Sequence, residues 1–417
     1  MHAALRLAAS CTLLLTLSGP LLVPPVIYGA LSDSLNIPQA HVTALVPVSY
    51  AFGSLVLTMP GSLYMERHGL HRSFVLGVVA QCLLASAQVA STRLWHFVLL
   101  QFCLGACHCF AGTVGFIAFC NAWFGEQPST AIAINFAAFG VAGTLWTPVT
   151  AALATALSWR AALAASASAQ WCVALPLAVC AMRDPPPTAP VRRPSRVARE
   201  PSLGDAADGA AWWVADGSVW LLALLSFCVL FVTYSVNNSA TLFFADEADV
   251  PLGHAALFTT LIFAGNTVAK LASGPLLDGP HGGACAAGAC TLLAAGSAVL
   301  WSLSWRPTAG ATAVAFALVF GLGYGGSYAL VQSKAALHFG HRRGFKSLQG
   351  FLFCWQMAGQ ISGELVTPEL AHALSYTAAF GVLFCLALGA LGAIVAFEVR
   401  EAVLARDSTK VLAQTLL

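Results

Sequence analysis

Acidic and basic side chains are so sparse in this chain that stretches without any Asp, Glu, Lys or Arg separate Arg6 from Asp33, Arg72 from Arg93, Arg93 from Glu126, Glu126 from Arg160 and Arg160 from Arg183. Each is long enough to cross a hydrocarbon layer about 30 Å thick. Inside lipid a bare backbone amide has no partner, so a spanning segment must satisfy its own hydrogen bonds as a helix or close into a barrel. These runs are too long and too continuously apolar to alternate as barrel strands. With 58% hydrophobic and 9% charged residues, a water-soluble domain is excluded. The chain reads as an all-α, multi-pass membrane protein.

Apolar runs between charges and Pro/Gly clusters place spans near 7–31, 41–64, 73–91, 95–122, 130–156 and 161–182, then near 218–244, 254–277, 284–304, 311–334, 347–368 and 375–398. Loop charge checks the count, because cytoplasmic loops collect Lys and Arg. With twelve spans and both termini cytoplasmic, Arg6, Arg67, Arg72, Arg183, Arg192, Arg193, Arg196, Arg199, Arg342, Arg343, Lys346, Arg400, Arg406 and Lys410 share the inner side. Only Arg93, Arg160 and Arg306 fall outside, while Lys270 and Lys334 lie in or at the edge of helices. A missing span would move every later loop to the wrong face. The first run is too long for a cleavable signal and holds Pro24 and Pro25, so it counts as a span.

The expected organisation is a six-helix bundle over 1–182, a disordered cytoplasmic linker over 183–217, a second six-helix bundle over 218–399 and a cytoplasmic tail over 400–417. The linker, with Pro185, Pro186 and Pro187 and its arginines, has no apolar face to bury. Its basic run suits anionic headgroups of the surrounding bilayer. All thirteen cysteines fall in predicted spans without metal-ligand spacing, which reads as packing. Gly105, Gly112 and Gly115 with Gly140 and Gly143 read as places of close helix approach. Punctuation recurs between the halves at an offset of roughly 212 to 216 residues: Gly61 and Gly274, Phe124-Gly125 and Phe339-Gly340.

The loop after the second span holds Gly61, Glu66, Arg67 and Gly69, with Arg72 just beyond. It resembles the corresponding loop of the major facilitator superfamily. The second copy keeps Gly274 and Asp278 but has Gly279 where a base is usual. That resemblance implies two pseudo-symmetric six-helix bundles, transport by alternating access, and a gating role for these loop residues. Within the superfamily, Trp123-Phe124, Ser158-Trp159-Arg160 and the run from Gly321 to Leu330 are similar to the branch of monocarboxylate porters, oxalate/formate antiporters and nodulin-like proteins. Asn266 and Lys270 match the spacing of that branch's Asp-x-x-x-Arg pair in the eighth helix. Asn in place of Asp removes an acid that would exchange protons.

Polar residues at mid-depth are the candidates for a solute site. Lys270 stands eight residues before Asp278, about 12 Å along the helix, with Asn266 one turn away on the same face. Gln356, Gln360 and Glu364 form a polar stripe at i, i+4 and i+8 on the eleventh span. Tyr28, His108, Tyr234, Asn238, Tyr324 and Tyr328 complete the expected substrate-binding set, with Asn237 beside Asn238. His108 reads either as a proton shuttle or as a packing residue, and the tyrosines either as ligands or as packing. The sequon at Asn237 lies within a helix and is discounted.

No nucleophile elbow, phosphate-binding loop or metal-ligand pair is present, so an enzyme, a cofactor, a resident metal and a nucleic-acid partner are not expected. The leading expectation is a monomeric secondary carrier, proton-coupled or not, of a small organic anion such as a monocarboxylate or dicarboxylate. One alternative is an amino acid or other zwitterionic or neutral solute gripped by Lys270 and Glu364. Another is a non-transporting receptor or scaffold acting through residues 183–217.

Overall fold

The computed structural model describes residues 2–125, 127–184, 212–248, 252–306 and 310–415. Most of the expected linker, with Arg192, Arg193, Arg196 and Arg199, lies outside these, as does Glu126. Among the described residues every regular element is helical. The first span is jointed: α1 (His2–Leu17) and α2 (Gly19–Leu35) meet at Ser18, whose hydroxyl donates to the Leu14 carbonyl at 2.7 Å, with Pro20 opening the second piece. The second and third spans are α3 (Gln39–His68) and α4 (Leu70–Val89). The fourth is also jointed, into α5 (Leu94–Ala111) and α6 (Thr113–Trp123), and α7 (Pro128–Ala156) is the fifth. The sixth runs as α8 (Trp159–Ala169), a π-helical turn at Gln170–Ala174 and α9 (Leu175–Cys180).

Six further helices follow: α10 (Gly217–Asp246), α11 (Leu252–Asp278), α12 (Gly282–Trp305), α13 (Ala311–Phe339), α14 (Phe345–Ala373) and α15 (Tyr376–Thr415). The last continues through the expected tail as far as Thr415. Ten described spans are apolar and long enough to cross a membrane by those criteria alone, and α11 and α14 fall short. Those two carry Asn266 with Lys270, and Gln356 with Gln360 and Glu364. Their polar faces lower their hydropathy, so the same residues that weaken the membrane signal mark the functional candidates.

The chain divides into two compact units, one of residues 1–124, 131–189 and 349–361, the other of residues 125–130, 190–348 and 362–417. Inside the first, α3 and α4 pack on α5, α4 packs on α8 and α9, and α2 packs on α8. Inside the second, α11 and α12 pack on α13, α12 packs on α15, and α10 packs on α15. Span for span these are the same neighbours, which agrees with the internal repeat. The tightest pairs are built alike. A Cβ on Gly105 would lie 1.9 Å from the Tyr50 carbonyl oxygen, and one on Gly53 2.0 Å from that of Phe102, so α3 and α5 touch backbone to backbone. On α13, a Cβ on Gly321 or Gly325 would strike the Ile262 or Asn266 carbonyl at 2.5 or 2.1 Å. Gly115 abuts Phe74 of α4, whereas Gly143 faces open space and is not a point of close approach.

Candidate functional site

In the second unit, the Gly321 and Gly325 contacts draw α13 against α11 and bring three expected residues together. Lys270 is 3% exposed, and its ammonium lies 4.7 Å from the Tyr328 ring centroid and 5.9 Å from that of Tyr324. The two rings meet edge-on, 6.3 Å apart at 81°. The amine therefore stays within the bundle, beneath aromatic faces that attract a cation. Asn266 is buried one turn above, and its side-chain nitrogen has no hydrogen-bond partner among the described residues. Asn237, half-buried on α10, hydrogen-bonds Tyr324. Tyr234 is half-buried on the same helix and Asn238 is exposed.

Gln332 continues the Tyr324 and Tyr328 face of α13 by another turn. It is 1% exposed, and neither amide atom is partnered among the described residues. Sequence reasoning passed over it, although its i, i+4, i+8 register with the tyrosines was the available signal. Glu364 is half-buried in a stretch of α14 where Gly363 backs onto Phe231 of α10 and Thr367 donates to Ser235 at 2.8 Å. Lys334, the other cation near a span, forms an ion pair with Glu398 of α15 at 2.5 Å. Beside it, Glu401 accepts from Ser218 at 2.6 Å and meets His338 at 3.4 Å.

In the first unit, His108 occupies the joint of the fourth span. Its Nε2 accepts from the Thr113 backbone N–H and meets the Thr113 hydroxyl, both at 3.3 Å. Tyr50 of α3 and Phe353 flank the ring at 5.9 and 6.0 Å between centroids. Gln356, on the same segment as Phe353, is fully buried, with both amide atoms unpartnered among the described residues; Gln360 is 5% exposed. Tyr28 packs on the apolar cluster of Val23, Ile27, Leu31 and Phe97.

The loop residues separate by role. Gly61 leaves room for Cys109, whose sulfur would lie 2.4 Å from an added Cβ. Gly69 has φ of 88°, a left-handed backbone that lets α3 end and α4 begin within one residue. The first turn of α4 is capped by Asp184, which accepts from Leu70 N at 2.8 Å and His71 N at 3.4 Å. Nothing in the motif pointed to Asp184; its isolation at the head of an arginine-rich stretch was the signal. Glu66 is half-buried and Arg67 exposed. In the second unit Gly274 is buried, and Asp278 accepts from Ser129 N at 3.1 Å, Thr130 N at 2.8 Å and the Thr130 hydroxyl at 2.7 Å, within the first turn of α7.

Solved structures with the same fold include the human organic anion transporter MFSD10 (TETRAN), at 16% identity over 93% of this chain and 97% of that one, TM-score 0.71. The proton:xylose symporter XylE is similar at 13% identity over 94% of both chains, TM-score 0.75. The E. coli fucose:proton symporter FucP is similar at 12% identity over 95% of this chain and 99% of that one, TM-score 0.71. No curated protein sequence matches. The family model of the Major Facilitator Superfamily matches residues 8–363, and the chain belongs to that superfamily.

Proposed function

We propose that this secondary transporter carries a small organic anion by alternating access, with Lys270 as the anion-binding charge. The observation behind this reading is an ammonium buried at 3% exposure against two tyrosine faces. A lysine at the centre of a membrane helix costs about 2.5–3.5 kcal/mol, and a desolvated cation–π contact recovers about 2 kcal/mol. A carboxylate arriving beneath those rings gains a charge-assisted contact in a low-dielectric setting. Asn266, Gln332 and Tyr328 supply neutral hydrogen-bonding groups around it. MFSD10 is named an organic anion transporter, whereas XylE and FucP are named sugar symporters, so the fold accommodates both and the lysine favours the anion. The resemblance to the monocarboxylate porter branch, through the Asn266 and Lys270 spacing, supports the same class. In this reading both termini face the cytoplasm, residues 1–182 and 218–399 are the alternating halves, and Gly61 to Gly69 with Gly274 and Asp278 gate the cycle.

The test is uptake by the purified protein in liposomes across a panel of monocarboxylates, dicarboxylates, amino acids and sugars. Lys270→Gln should abolish uptake of the anion that the wild type moves, while Lys270→Arg retains part of it. Full uptake by Lys270→Gln discards the anion reading. A wild type that moves no member of the panel favours the receptor or scaffold alternative.

A further inference from the structure

We infer that the joint of the fourth span is a proton-binding site: His108 takes up a proton at Nε2 and in doing so uncaps α6. The inference deepens the carrier reading by naming where a coupling proton sits, and it rests on that reading only for its role in transport. Three features of the first unit carry it. The fourth span breaks between Ala111 and Thr113 instead of running through, with Gly112 at φ −119° and ψ −148°. The imidazole occupies the gap so closely that a Cβ on Gly112 would lie 2.3 Å from its Cδ2, which restricts that position to glycine. Its Nε2 is the acceptor for the first amide of α6, at 3.3 Å.

An acceptor nitrogen carries no hydrogen, so the neutral ring bears its proton on Nδ1. Protonation at Nε2 turns that atom into a donor facing another donor. The positive charge sits between the last turn of α5, which favours it, and the N-terminus of α6, which does not. The Thr113 hydroxyl can rotate to accept from the protonated ring, but the ring no longer accepts from the Thr113 amide, so α6 loses that cap. A proton therefore loosens the joint. Of the elements packed on α5, α3 presents Tyr50 to the ring and residues 349–361 present Phe353. α4 meets the segment through Gly77 against Phe110 and Ala111, and α6 presents Thr113. The flanking titratable groups on α5 itself are Cys107 and Cys109. Among the described residues His108 takes part in none of the ion pairs Lys334–Glu398, His338–Glu401 and Arg400–Asp216. A charge-sensitive joint at mid-span is an element whose stability proton binding can bias.

Hydrogen exchange of the full-length protein in nanodiscs tests this without any solute. Protection of the peptide covering 109–117 is measured from about pH 8 to about pH 3 and corrected for the intrinsic pH dependence of exchange. The wild type should lose protection about fivefold at the acid end, the factor that corresponds to about 1 kcal/mol for a lost cap. His108→Gln keeps an acceptor oxygen that does not titrate and should hold its protection at every pH. His108→Phe, with no acceptor, should be poorly protected throughout. A wild type without the acid loss overturns the inference, and so does a His108→Gln variant that shows the same loss. If neither variant folds, the wild-type profile alone decides. Failure of the Lys270 test would leave this result unchanged, so the two readings fail separately.

Discussion

Gly325→Ala should dismantle the Lys270 site from behind, without replacing any side chain expected to meet solute. The added Cβ would stand 2.1 Å from the Asn266 carbonyl oxygen and 2.7 Å from its carbonyl carbon and Cα. Ordinary contact begins at 3.4 Å, so the deficit at the oxygen is 1.3 Å. The obstacle is helix backbone, which cannot swing aside as a side-chain tip can. Retreat of α13 is in turn opposed on its other flank, where Gly323 lies against the α12 backbone at Leu293. Overpacking of this kind costs about 1–3 kcal/mol, offset in part by the helix preference of alanine over glycine, about 1 kcal/mol. Gly288→Ala on α12 is the matched control, because an added Cβ there meets nothing within 4 Å and only the propensity gain remains. Thermal unfolding followed by tryptophan fluorescence should place Gly325→Ala a few degrees below Gly288→Ala. Because Tyr324 and Tyr328 ride on the displaced helix, solute affinity should fall as well. Equal unfolding temperatures for the two variants would refute the claim that α11 and α13 are in backbone contact.

Asp184→Ala should cost about 0.5–2 kcal/mol by uncapping α4, while Asp184→Asn retains most of that stability; chemical unfolding in detergent compares the two. Glu398→Gln should cost about 1–3 kcal/mol by leaving the Lys334 ammonium without its carboxylate, and the double replacement Lys334→Met with Glu398→Leu should be milder than the single change. A double variant worse than the single one would show that the pair stabilises the second unit beyond satisfying its own charges.

What the sequence revealed and what it hid follow from how far each feature depends on distant chain. Span positions were legible because charge is excluded from hydrocarbon, a rule that acts residue by residue. Lys270 stood out by the same rule, as a charge about two turns inside the apolar run that ends at Asp278. The joint at Gly112 was not: the fourth span reads as one apolar run, and Gly112 looks no different from Gly105, which serves helix approach instead. The break becomes visible only with the His108 ring lying across that glycine, a contact that reads in sequence as mere i+4 spacing. Asp184 was hidden differently, its partners lying 113 and 114 residues away at the start of α4. The eighth and eleventh spans reverse the usual relation. Their polar residues depress the hydropathy that identifies a span, yet periodicity keeps those residues on one face, where a helix can carry them in lipid by turning them toward protein. A membrane helix that falls short in apolarity but keeps its polar groups in register is a better pointer to a solute path than any single residue in it, because the cost of each group is borne only where the bundle gives it a use.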